Sequence, residues 1–90
     1  MIRSMTLKNA ERVGSDFLRI DSQVGLTFSG TALATDNEEK RRRTTAIARK
    51  AHDTITRLRP SIELTNAEES ELDRNLLRLK RELQILGEIF

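Results

Sequence analysis

Few side chains in this 90-residue chain could do chemistry. It has one histidine, His52, and no cysteine. Zinc centres draw on clustered Cys and His, so that class has no ligand set here. Di-iron helical bundles need Glu-x-x-His pairs on facing helices, and the single histidine is not preceded by one. No Gly-x-Ser-x-Gly elbow and no phosphate-cradling glycine loop occurs. Glu68, Glu69 and Glu71 cluster, but acidic groups in the first turns of a helix complement its dipole without any further role. The chain is expected to be non-catalytic and to use no metal or cofactor.

Two groupings remain. The run Lys40-Arg41-Arg42-Arg43 could contact phosphates or an acidic protein. Cations near a helix N-terminus oppose the macrodipole, so the run is mildly unfavourable where it stands unless it is solvated or offset by Glu38 and Glu39. Asp21 lies among Phe17, Leu18, Val24 and Phe28 on a helical wheel. A carboxylate on an apolar face needs a partner. His52, or failing that Arg74, is the expected one, giving a structural polar pair.

The elements that must position these residues are helices. Glu38 to Arg59 reads as one helix. Thr35 with Glu38, or Asp36 with Glu39, has capping-box spacing at its start, and Pro60 ends it. Thr44, Ile47, Ala48, Ala51, Ile55 and Leu58 form its apolar stripe, with Glu38–Arg42, Glu39–Arg43 and Asp53–Arg57 available as i,i+4 pairs. A longer first helix is expected over about 5–34, with Ala10, Val13, Phe17, Ile20, Val24 and Phe28 facing the core. Gly14, Gly25 and Gly30 weaken it, and a break near Ser29-Gly30 is the expected irregularity. Thr65 and Glu68 repeat the capping box before a third helix, about 66–88. Its seam is Leu72, Leu76, Leu79, Leu83, Leu86 and Phe90.

Short connections between long helices give antiparallel neighbours. The fold class predicted is all-α, an up-down-up antiparallel three-helix bundle with a long first helix, occupying 1–90 as a single domain. A reversal at Asp36 sets Gly14 against Leu58 and Gly25 against Ile47, matching small residues to large ones. The first helix should overhang its neighbours at the N-terminal end.

Composition bounds the partners. The net charge is +2, but residues 38–59 carry eight basic and three acidic groups and residues 60–90 four and seven. Only 3% of residues are aromatic, so a core must be aliphatic, and in so short a chain it is marginal. Association is therefore expected: a homo-oligomer, dimer or larger, or a helical protein partner, through an apolar strip on the first helix or one containing Ile85 and Ile89 on the third. The alternative is a nucleic-acid-associated protein using the basic second helix, against which stand the absent Tyr and Trp and the low net charge. No signal-like or membrane-spanning run is evident, and a cytoplasmic location is expected.

Overall fold

The computed structural model describes the backbone of residues 2–90 and the side chains of residues 13–90. Three helices follow one another: α1 (Ile2–Ala34), α2 (Glu38–Leu58) and, after a single 3-10 turn at Arg59–Ser61, α3 (Asn66–Ile85). Among the described residues there is no strand. α2 runs antiparallel to α1, and α3 runs parallel to α1, giving the up-down-up bundle expected.

The connections explain the boundaries. Asn37, in extended conformation, caps α2 by accepting a bond from the Lys40 amide at 2.8 Å. The cap is thus neither Thr35 nor Asp36. Thr35 instead turns the chain, its hydroxyl accepting from the Asn37 amide at 3.2 Å. Thr65 caps α3 in a complete reciprocal box with Glu68, as its spacing implies. α3 ends at Ile85, three residues before the expected 88, because Gly87 takes the left-handed conformation (φ 98°). The Gly87 and Glu88 amides then close on the carbonyls of Gln84 and Leu83, a Schellman end. This turn removes Phe90 from the α3 seam.

Two aliphatic clusters fill the bundle. Leu18, Ile55 and Leu72 form one, with Leu58, Ile62, Leu64 and Leu76 against them; Ala48, Leu79 and Leu83 form the other, with Leu26, Phe28 and Leu86. The α2 stripe faces inward through Thr44, Ala48, Ala51 and Ile55, and the α3 seam through its leucines.

α1 is rotated from the expected orientation. Among the residues of α1 whose side chains are described, the buried ones are Ser15, Leu18, Ser22, Gly25, Ser29 and Ala32, spaced three and four apart. Of the expected core face, Val13, Phe17, Ile20 and Val24 are 66%, 44%, 52% and 38% exposed, Phe28 does pack on the core, and Ala10 lies outside the residues whose side chains are described. The reason is closeness of approach. At Gly25 a Cβ would lie 2.8 Å from Leu79 Cδ2 and 3.3 Å from the Ala51 Cβ, so any larger residue at this crossing must displace Leu79. The buried serines lose little, because the hydroxyls of Ser22 and Ser29 donate to the carbonyls of Arg19 and Leu26 within the helix.

The register also differs. Gly14 meets Ile62 rather than Leu58, and Gly25 meets Ala51 rather than Ile47. Each partner lies four residues, about one helical turn, beyond the expected one. Gly30 interrupts nothing: α1 is continuous through it, and no atom lies within 4 Å of where its Cβ would be.

Candidate interaction surface

The sites suggested by the sequence disperse in three dimensions. Asp21 and His52 do not pair. His52 Nδ1 lies 3.1 Å from Asp53 Oδ1, and its ring stands edge-on to Phe90 with centroids 4.8 Å apart. Asp21 is half-buried, and among the described residues it has no ion pair or hydrogen bond; neither His52 nor Arg74 reaches it. Desolvation raises its carboxyl above the ordinary value. The rotation of α1 and the one-turn shift in register are what separate the two residues. At Asp53 desolvation pushes upward too, but hydrogen bonds and charge from His52 and Arg49 outweigh it and hold the carboxyl low.

The basic run divides. Arg41 turns back to α1, where Nε donates to the Ala32 carbonyl at 3.3 Å and Nη2 to the Thr35 carbonyl at 2.7 Å. Nη1 reaches Glu38 at 3.0 Å. Arg41 thus opposes the dipole of its own helix but caps the C-terminus of α1, satisfying carbonyls that α1 leaves open. Lys40, Arg42 and Arg43 are exposed and carry no ion pair among the described residues. The i,i+4 pairs expected for Arg42, Arg43 and Arg57 do not form; Arg49–Asp53, at 3.1 Å, does.

Arg42, Lys50 and Arg57 border an open groove of about 760 Å³ between α2 and the last residues of the chain. Glu38, Asp53 and Glu88 border it as well, so the groove is mixed in sign. Arg49 fixes its far wall. It donates to the Ile89 carbonyl at 2.8 Å, approaches Glu88 at 3.4 Å, and lies 4.0 Å over the Phe90 ring. Ile85 and Ile89 are 74% and 86% exposed. They do not form one helical strip, because the Gly87 turn falls between them.

The surface that stands out is the outward face of α1. Val13, Phe17, Ile20 and Val24 recur at intervals of four, three and four, the spacing of a heptad seam. Leu33 on α1 and Ile47 on α2 are exposed as well. Behind this seam, on the opposite side of the same helix, runs a polar ladder to α3. Ser15 bonds Glu68, Asn75 donates to Ser22 at 3.2 Å, and Ser29 donates to Glu82. Serines seven residues apart meet partners seven residues apart, which fixes the rotation of α1. That heptad of serines was the available sequence signal for the inward face, hidden behind the stronger apolar one.

No group of three or more metal-ligating side chains occurs among the described residues, nor any helix long and apolar enough to cross a membrane. No protein-family model, curated protein or solved structure matches the chain.

Proposed function

We propose that the chain is a non-catalytic helical association module whose working surface is the outward seam of α1. The exposure of four large apolar residues at heptad spacing supports this most directly. A folded helix that turns Ser22 and Ser29 inward and Phe17 and Ile20 outward keeps its apolar residues for something other than its own core. Neither core cluster contains any of the four seam residues, so the seam is free to be covered by a partner. A cytoplasmic location accompanies this reading, in keeping with a highly charged chain without cysteine.

The test is a pair of substitutions. Phe17→Glu with Ile20→Glu should leave helicity and the unfolding midpoint nearly unchanged while abolishing any concentration-dependent rise in mass. Unfolding of this variant would show the seam to be core.

The second reading, contact with a polyanion, draws on Arg42, Arg43, Lys50 and Arg57, which carry no ion pair among the described residues. It requires binding to mixed-sequence DNA or RNA that weakens steeply with salt, since phosphate contacts release counterions. The acidic groups in the same groove favour the first reading.

A further inference from the structure

We propose that Arg49, His52 and Lys80 form a binding site for a short acidic–aromatic peptide segment, with a carboxylate two positions before an aromatic ring, and that the chain's own Glu88-Ile89-Phe90 fills this site in the structure. The site uses none of the α1 seam.

The segment seated there shows which chemistry the site takes. Gly87, at φ 98°, turns the chain off the α3 axis, and the residues after it lie against α2. Arg49 meets each of them. Its Nη1 donates to the Ile89 carbonyl at 2.8 Å and reaches the Glu88 carboxylate at 3.4 Å, and its guanidinium lies 4.0 Å over the Phe90 ring. Lys80 Nζ is 5.3 Å from the centre of the same ring, and the His52 ring stands edge-on to it at 4.8 Å. Cations over the face of an aromatic ring are attracted by its quadrupole. Ile89 is 86% exposed, so the site reads the residues on either side of it and leaves the middle one free.

The α2 part of the site is held in place without its occupant. Asp53 accepts from Arg49 Nε through both carboxylate oxygens, each at 3.1 Å, and lies 3.1 Å from His52 Nδ1. All three residues belong to α2, so these contacts persist when residues 88–90 leave. A site fixed in advance loses less freedom on binding. Phe90 itself is 42% exposed and belongs to neither aliphatic cluster, so the ring is held by charged side chains rather than by the core.

A longer segment has room to continue. Leu86 and Glu88 border the open groove along α2, where Arg42 and Lys50 carry no ion pair among the described residues. Because Gly87 tethers it, the chain's own segment acts at a high effective concentration and excludes a free tripeptide. A partner's segment enters where further contacts along the groove outweigh that advantage. Residues 88–90 are thus a built-in competitor for the site.

The single histidine reports its occupancy. In proton NMR the His52 ring C–H signals should be displaced by the Phe90 ring current in the wild-type chain and should lose that displacement in Phe90→Ala. Added acetyl-Glu-Ile-Phe-amide, at millimolar concentration, should move the Phe90→Ala signals saturably back toward the wild-type position. The same peptide should leave the wild-type signals in place, because the site is filled in cis. Arg49→Gln combined with Phe90→Ala should weaken the response about tenfold. Circular dichroism checks the helices, and Phe90→Leu, which keeps apolar bulk without a ring, gives the same comparison should Phe90→Ala lose helicity. Coincident His52 signals in the wild type and the folded variant would show residues 88–90 undocked and overturn the proposal. So would a folded variant with no saturable response to the peptide, or a response indifferent to Arg49→Gln.

Discussion

At the scale of single residues, Asp21 and Arg41 carry the largest departures from what their types suggest. Asp21 is half-buried without an ion pair or hydrogen bond among the described residues, and desolvation makes its carboxyl protonate more readily in the folded state than at the ordinary 3.8. A raised folded value means that its contribution favours folding below the unfolded value and is lost as pH rises through the folded one. At neutral pH the charged group is therefore a small cost, screened by the solvent that still reaches it. Asp21→Asn should stabilise the fold at pH 7, and the advantage should vanish below about pH 3.8, in urea titrations at the two pH values. Arg41 behaves in the opposite sense. Arg41→Gln loses donors to the Ala32 and Thr35 carbonyls and should cost about 1 kcal/mol, whereas Arg42→Gln with Arg43→Gln should stay within about 0.5 kcal/mol of wild type. From the sequence, all four basic residues of the run look alike. What distinguishes Arg41 is its place beneath the open end of a neighbouring helix, and only the reversal of the chain creates that.

At the scale of elements, helix existence was legible and helix orientation was not. The Thr65–Glu68 box, the proline at 60 and the leucine spacing of α3 are local signals, and local hydrogen bonding obeys them. The rotation of α1 depends instead on which of two heptad stripes allows closer packing, a property of three helices together. Small residues win because Gly25 lets Leu79 and Ala51 approach and because serine hydroxyls are satisfied within the helix or by α3. The candidate sites suffered from the same rotation, which drew Asp21 away from His52. Two glycines test this packing. Gly25→Ala should destabilise by roughly 1 kcal/mol, crowding Leu79 by more than the gain in helix propensity. Gly30→Ala, with open space around it, should stabilise by about as much. Equilibrium denaturation of the two variants side by side gives both signs.

At the scale of the whole molecule, the bundle is long and thin, 54 × 21 × 18 Å, with an inner core, an outer seam on α1 and separate exposed apolar residues such as Leu77, Ile85 and Ile89. The division has an energetic signature. Leu18→Ala should cost about 2–5 kcal/mol, as a fully buried leucine does, while Phe17→Ala next to it should cost far less in the monomer and should weaken association. The proposed association depends on the orientation of α1, and thiol reactivity measures it at two nearby positions. Ile20→Cys and Ser22→Cys, each labelled at a concentration low enough to keep the chain monomeric, place one sulfur on the 52%-exposed side and one on the fully buried side. The thiol at 20 should react at nearly the rate of the unfolded chain and the thiol at 22 many-fold more slowly. Protection at 20 with free reaction at 22 would mean that the apolar stripe faces the core, and would contradict the interface placed on it.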